Sequence, residues 1–326
     1  NINNQSISIF FIIFAILSFF CGFYFDEISI GAGGYKGDFK FVQKSIKLFS
    51  ENSIKDSIIL FSESSNRPPL IYILHKILNP FSDSDIDFRR VVFFISLSVP
   101  CLLFLCLKEK FKHKDNILLL LLTSIIFFNP FFRNSSFWGL EENYAFVALL
   151  VSILFLLKLE NLKKNDHKIY IEIFILTFSS SLCIYFDQKF LIIPLICFLK
   201  IMRSKHLMKF KIFTILLYAL FSIPFLYLIN IWGSIFPSNI YHIGKQFYFH
   251  HLGFAITMIA FIIFPLILII KENLISKLFD FSKDYFNLFN LIIILLYIIF
   301  LAFFYDNSFI NNKLDGGGII KKIALV

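Results

Sequence analysis

Acidic side chains and glycines gather directly after the first apolar run of this 326-residue chain. The segment FYFDEISIGAGGYKGDF, residues 23–39, holds Asp26, Glu27 and Asp38. A carboxylate at the edge of an apolar phase has its pKa raised by partial desolvation, and it can act as a general base on an acceptor hydroxyl. In the alternative interpretation, the first two acids mark a helix end in contact with water, and Asp38 caps the helix that begins near Phe39.

Three cationic side chains could bind an anionic group. Arg67 precedes Pro68 and Pro69 in NRPPLIY, and two consecutive prolines rigidify the backbone that carries it. Arg133 could clamp a phosphate, or it could orient a helix end. Lys189, in YFDQKF, could offset the charge of a diphosphate.

Further substrate-binding candidates are polar or aromatic: Tyr72, Trp138, Glu141, Glu142, Asp187, Lys245 and His250. Trp138 is interpreted as an anchor at the membrane interface, with sugar stacking as the alternative. His250 and its neighbour His251 lack a third ligand, so no metal site is predicted. The five cysteines lie in or beside apolar runs and are interpreted as small hydrophobic residues.

The composition predicts a membrane protein of the all-α class. The chain is 58% hydrophobic and 16% charged, whereas soluble domains carry about a quarter charged residues. Apolar blocks recur near the roughly 20 residues that a helix needs to cross the hydrocarbon. The net charge of +9 resides mostly in short loops between these blocks, which indicates membrane orientation rather than nucleic-acid binding.

We predict a polytopic transmembrane helix bundle of about nine spans. The predicted spans are 7–25, 90–107, 117–132, 143–157, 169–186, 190–202, 210–232, 252–270 and 288–305. The basic loops are 108–115, 158–168, 200–211 and 271–284. Because Lys and Arg mark cytoplasmic loops, the N-terminus is expected in the cytoplasm and residues 26–89 outside it.

The segment 26–89 is the one large loop of this topology, and it is predicted to contain helices lying at the membrane surface. Residues 39–54 space apolar side chains at three to four residues with lysines between them, as in an amphipathic helix. Residues 68–78 open with prolines suited to a helix start. We expect one transmembrane domain over 1–326, incomplete at its C-terminus, with this loop inserted between the first two spans.

The order of these features resembles the integral-membrane glycosyltransferases of the C superfamily, in particular the protein mannosyltransferase and aminoarabinose transferase branch. The shared features are DE after the first span, a long first outer loop, and RPPLIY before the second span. The resemblance covers roughly residues 7–160. It differs at Arg67, where that branch often has His before the prolines.

The resemblance implies transfer of a sugar from a polyprenyl-phosphate-type lipid donor to an extracytoplasmic glycan, lipid or protein, with inversion at the anomeric carbon. By position, Asp26 would match the catalytic aspartate, with Asp38 as a competitor for that role. No cofactor is predicted with certainty, and a divalent cation at the donor phosphate stays open. The expected location is a bacterial inner membrane, with the active site on the extracytoplasmic face.

Other function classes stay open at this point. A transporter or flippase of a lipid-linked or anionic substrate would also have many spans, but it usually places ionisable groups near the bilayer midplane and shows internal repeats. A polysaccharide polymerase or ligase, and a structural or receptor protein, are further alternatives. Convergence of the acidic and cationic candidates on one site would favour the enzyme.

Overall fold

A computed structural model describes residues 4–28, 34, 37–65, 67–78, 84–162, 168–204 and 207–233, and every regular element in these ranges is a helix. The α-helices are α1 (Asn4–Tyr24), α2 (Asp38–Glu51), α3 (Ile54–Ser64), α4 (Leu70–Leu78), α5 (Asp85–Ser96), α6 (Ser98–Lys110), α7 (Asn116–Ser124), α8 (Pro130–Trp138), α9 (Glu142–Asn161), α10 (Lys168–Phe186), α11 (Ile192–Arg203) and α12 (Met208–Trp232).

Five helical segments in these ranges are long and apolar enough to cross a membrane. They are Gln5–Tyr24, Asp85–Lys110, Glu142–Asn161, Lys168–Phe186 and Met208–Trp232. The second of them joins α5 and α6. The predicted all-helical class is confirmed for the described residues. The number of nine spans stays a prediction, since 252–270 and 288–305 lie outside those residues, as does the part of the single domain predicted over 1–326 that follows residue 233.

Two predicted spans differ from the observed helices. The third, predicted over 117–132, runs as α7 and a 3₁₀ turn to Phe128, and the chain then bends by 66° into α8. Pro130 causes the break, because proline disfavours helical backbone at the preceding residue. The sixth, predicted over 190–202, is α11. Its 12 residues cover about 18 Å, which is less than the hydrocarbon thickness.

The segment between the first two spans contains α2, α3 and α4. The helices predicted over 39–54 and 68–78 correspond to α2 and α4, and α3 was not predicted. The apolar face of α2, with Phe39, Val42 and Phe49, is buried within the protein. Ser53 caps α3 by accepting the N–H of Asp56 at 3.2 Å. A helix lying at the membrane surface would turn its apolar face toward lipid. In α2 this face is covered by protein, so the prediction of a surface-lying helix is wrong for it.

Helix α8 is short, and its side chains are buried from Phe132 to Trp138. Asn129 caps its start by accepting the N–H groups of Phe131 and Phe132. Its end is Gly139, whose φ of 72° lies in the left-handed region that favours glycine. The predicted spans leave 133–142 as a connection between the third and the fourth span. Residues 133–138 of this connection are helical, because capping by Asn129, together with Pro130, starts a helix before them.

Aromatic side chains form much of the core beside α8. Phe19 of α1 packs on Phe93 and Phe137 with ring centroids 5.2 and 5.0 Å away. Trp138 is buried next to Phe39 of α2. The interpretation of Trp138 as an interfacial anchor is therefore wrong, because α8 turns its ring into the protein.

Candidate functional site

Three consecutive residues of α8 each bind a carboxylate from a different part of the chain. Arg133 pairs with Glu27 after α1. The amide Nδ2 of Asn134 donates to Asp38 Oδ2 at 2.9 Å, at the start of α2. The hydroxyl of Ser135 donates to Glu142 Oε2 at 3.5 Å, at the start of α9. Helix α8 thus gathers three acids that sequence analysis could place only separately.

Arg133 is buried and binds Glu27 with two guanidinium nitrogens, of which Nε lies 2.8 Å from Oε1. The same guanidinium donates to the carbonyls of Phe127 at 2.8 Å and Ser18 at 3.0 Å. Such a bidentate pair fixes both groups. Glu27 therefore serves to hold Arg133, and its carboxylate is less available as a base than expected.

Gly22 makes room for this pair on α1. A β-carbon at Gly22 would lie 2.6 Å from Oε2 of Glu27 and 2.8 Å from Cε2 of Phe137. Both distances are well inside van der Waals contact. Any larger residue would therefore push the carboxylate or the ring away.

Asp26 stands at an unusual backbone position with an exposed carboxylate. Its φ of 53° is the one positive value among the non-glycine residues in the described ranges. Such backbone is uncommon and clusters at functional sites, although Asp tolerates it better than most residues. Its Oδ1 lies 2.6 Å from Nη2 of Arg89, while 64% of the side chain is exposed.

Arg89, which the sequence analysis did not select, is enclosed by aromatic rings. Its guanidinium carbon lies 4.3 Å from the ring centre of Trp138 and 4.8 Å from that of Phe23. Its Nε donates to the carbonyl of Phe137. Trp138 is fixed in turn, since Nε1 donates to the carbonyl of Glu27 at 3.1 Å. Arg89 thus presents a fixed positive charge to Asp26.

Asp38 is the first residue of α2 and half-buried. The preceding residue, Gly37, has no side chain to cap the helix, and the carboxylate of Asp38 binds Asn134 instead. The adjacent Phe39 ring lies 5.9 Å from the guanidinium carbon of Arg89. Asp26 therefore contacts Arg89 directly, whereas Asp38 is held by Asn134 of α8 and only its neighbour Phe39 lies near that arginine.

A second ionic group begins with Arg67 and Glu141. Nη1 of Arg67 lies 2.5 Å from Oε1 of Glu141, whose side chain is 3% exposed. Burial, followed by the neighbouring charge of Glu142, raises the pKa of Glu141 to about 7. Arg67 opposes this shift. The pair joins the segment before α4 to the start of α9.

The second ionic group continues through the next residue. Glu142 Oε1 lies 3.6 Å from Nζ of Lys189, and Asp187 Oδ2 lies 3.3 Å from the same nitrogen. Asp187 is buried, and among the described residues this oxygen accepts no hydrogen bond, so Lys189 supplies its charge partner. Lys189 has 70% of its side chain exposed. Asp187 and Lys189 lie in the short connection between α10 and α11.

Other predicted site residues have structural surroundings. Tyr72 is buried and stacks on Phe49 and Phe88, which makes it a core residue. Pro68 and Pro69 are buried. The carbonyl of Pro69 accepts the N–H groups of Tyr72 and Ile73 at the start of α4, as the helix-start prediction requires. Lys245 and His250 lie outside the described residues.

Within the described ranges, no group of three or more His, Cys, Asp or Glu side chains could hold a metal ion. Comparisons with protein-family models, with curated proteins and with solved structures gave no match. The geometry of the site offers an exposed carboxylate, Asp26, held by Arg89, and a second ionic group in which the partly exposed Arg67 and Lys189 pair with acids at the start of α9.

Proposed function

We propose that this chain is a membrane glycosyltransferase, which moves a sugar from a polyprenyl-phosphate-type lipid donor to an extracytoplasmic glycan, lipid or protein. The observation that carries the proposal is Asp26, an exposed carboxylate in left-handed backbone, oriented by an arginine enclosed in aromatic rings. A transporter would not require this arrangement at the end of its spans.

Asp26 has the geometry expected of a general base. One oxygen contacts Arg89, which keeps the carboxylate oriented, and the exposed remainder of the side chain can accept a proton from an acceptor hydroxyl. Asp38 is the second candidate, since it is held in place by Asn134 of α8. Glu27 supports the site through its pair with Arg133.

Arg67 and Lys189 would neutralise the phosphate of the donor, which leaves as polyprenyl phosphate when the sugar is transferred. Both are partly exposed, and both are anchored at the first turn of α9 through Glu141 and Glu142. A polyprenyl donor is confined to the bilayer with its head group at the surface. The apolar helices that end beside these residues would hold the enzyme at that level.

The proposal is tested by release of polyprenyl phosphate from a panel of polyprenyl-phosphate hexoses and pentoses, with protein reconstituted in bacterial lipid and a bacterial cell-envelope extract supplied as the acceptor. We expect Asp26→Asn to lower the rate by about 10²- to 10⁴-fold, the usual contribution of a general base. Asp38→Asn is assayed in parallel. The matched control is Asp56→Asn, which alters an acid in the same loop whose bond is to Ser53.

Loss in Asp38→Asn with a fully active Asp26→Asn would assign the base to Asp38. Full turnover in both variants would remove both acids from the mechanism. Absence of release by the unaltered protein with every donor in the panel would remove the proposed activity.

A further inference from the structure

Glu141 is a buried carboxyl group placed between exposed charges. The groups that face it are Arg67, Tyr72, Glu142 and Asp187, with Lys189 beside the last two. These side chains lie in the segment before α4, in α4, at the start of α9 and in the connection after α10. The ionisable groups are therefore held together from four places in the chain.

Arg67 keeps free hydrogen-bonding capacity toward its exposed side. Only Nη1 of its guanidinium has a hydrogen-bond partner in the described ranges, the carboxylate of Glu141. The ring of Phe41 lies 5.5 Å from the guanidinium carbon and limits its movement. With 31% of the side chain exposed, the remaining nitrogens can meet a ligand. A planar guanidinium with free N–H groups is suited to two oxygens of a phosphate.

The charges of this cluster almost balance. When all five groups are ionised, Arg67 and Lys189 carry two positive charges, and Glu141, Glu142 and Asp187 carry three negative ones. An anion arriving at Arg67 therefore adds to an existing excess of negative charge. One proton on Glu141 removes that excess. Glu141 is the acid most easily protonated here, because burial raises its pKa to about 7.

We infer that Arg67, Lys189 and Glu141 form a proton-coupled anion site, in which binding of a phosphodiester head group is accompanied by uptake of one proton from solvent onto Glu141. The proton keeps the buried side chain neutral while Arg67 turns its charge toward the phosphate. Tyr72 and the acids at 142 and 187 stay in place. The inference rests on the proposed function for the nature of the anion, a lipid-linked phosphodiester.

The test is calorimetric titration of the reconstituted protein with farnesyl methyl phosphate, a phosphodiester whose charge is constant between pH 5 and 9. Titrations at pH 7.5 in buffers of different ionisation enthalpy give the number of protons taken up. We expect about half a proton or more per ligand bound, and affinity that rises as the pH falls from 8 toward 7. Farnesol, which lacks the phosphate, should show no proton uptake.

Two variants separate the roles. Glu141→Gln should bind the diester with no proton uptake and with affinity independent of pH, because its amide cannot titrate. Arg67→Gln should weaken binding by about tenfold or more. Glu51→Gln, an exposed carboxylate of the same loop, is the control and should behave as the unaltered protein. Thermal unfolding of each variant verifies that it is folded.

Binding without proton uptake, or uptake that persists in Glu141→Gln, would overturn the inference, and so would absence of binding. These outcomes are measured without turnover. Proton-coupled binding together with no sugar release would refute the transferase and leave the anion site standing. Sugar release with no proton uptake would refute the proton-coupled anion site and leave the transferase supported.

Discussion

Arg133 donates to one carboxylate and to two backbone carbonyls, so its removal leaves several acceptors unsatisfied near the protein interior. We expect Arg133→Leu to lower the free energy of unfolding by about 3 kcal/mol, the lower end of the range for breaking a buried ion pair, since Glu27 is partly exposed. Thermal or chemical unfolding in detergent measures the change. Arg90→Leu, which breaks an exposed pair with Asp87, should cost less than about 1 kcal/mol. Equal losses in the two variants would contradict the assignment.

Gly22 offers a second measurement on the same pair. Alanine in a helix is usually more stable than glycine by about 1 kcal/mol, so Gly22→Ala would be stabilising if space allowed. Here the added methyl group would meet Glu27 and Phe137, and we expect the unfolding midpoint to fall instead. Cys21→Ala, at the exposed neighbouring position, should leave the midpoint nearly unchanged. A higher midpoint in Gly22→Ala would show that the pair can shift without cost.

At the scale of elements, α12 contains Pro224, and a side chain of α10 forms hydrogen bonds with the backbone of α12 next to that proline. Proline lacks the N–H that would bond to the carbonyl four residues earlier. Nearby, the hydroxyl of Tyr185 donates to the carbonyl of Phe221 at 2.6 Å and accepts the N–H of Phe225 at 3.1 Å. We expect Tyr185→Phe to cost about 1 to 2 kcal/mol in unfolding experiments. In a Pro224→Ala background the regular helix would satisfy these groups itself, so the cost of Tyr185→Phe should shrink. If Tyr185→Phe lowered the free energy of unfolding equally with and without Pro224, Tyr185 would not be compensating for the proline.

The elements that follow from sequence are those with a repeated spacing. Apolar residues at three- to four-residue intervals predicted α2, and consecutive prolines predicted the start of α4. Helix α8 was missed, since its polar residues carry no apolar period and look like a loop. Its identity depends on burial, which no local pattern reveals.

Pairings across the site were equally inaccessible to sequence reasoning. Asp26 and Arg89 are 63 positions apart, and Glu27 and Arg133 are 106 positions apart. The acids could be selected because they follow an apolar run, but their partners are fixed only by how α1, α5 and α8 pack. Arg89 itself lies at the start of a span, where an arginine ordinarily marks a membrane boundary.

At the scale of the whole molecule, two buried groups give opposite dependence of stability on pH. The pKa of His75 is lowered to about 4 by burial, so its contribution is present above pH 6.5 and is lost as the pH falls toward 4. Burial raises the pKa of Glu141 to about 7. Its contribution to the free energy of unfolding is therefore present below pH 4.5 and is lost as the pH rises toward 7.

Subtracting variants should isolate each dependence. The difference in unfolding free energy between the unaltered protein and Glu141→Gln should decrease by roughly 3 kcal/mol from pH 4.5 to 7 and then stay level. The corresponding difference for His75→Gln should change with the opposite sign between pH 4 and 6.5. Differences that stay level over both ranges would show that neither group is shielded from solvent as the structure indicates.

The proposed topology is tested by labelling with a membrane-impermeant thiol reagent in intact cells, after Cys21 and Cys101 are replaced by alanine. We expect Ser50→Cys, on the exposed face of α2, to react from outside the cell. Lys110→Cys, at the far end of α6, should react only after the cells are opened. Labelling in the reverse order would place residues 26–89 in the cytoplasm and remove the extracytoplasmic site.

The position of α8 in the chain determines when the acids of the site can find their partners during synthesis. Residues 26–38 leave the ribosome long before residues 133–135, so the acids at both ends of that stretch have no α8 partners while the first two spans form. Those early carboxylates must stay hydrated until the later helix enters and gathers them. A chain stopped before residue 130 would keep its first spans and still lack the scaffold that turns scattered charges into a site.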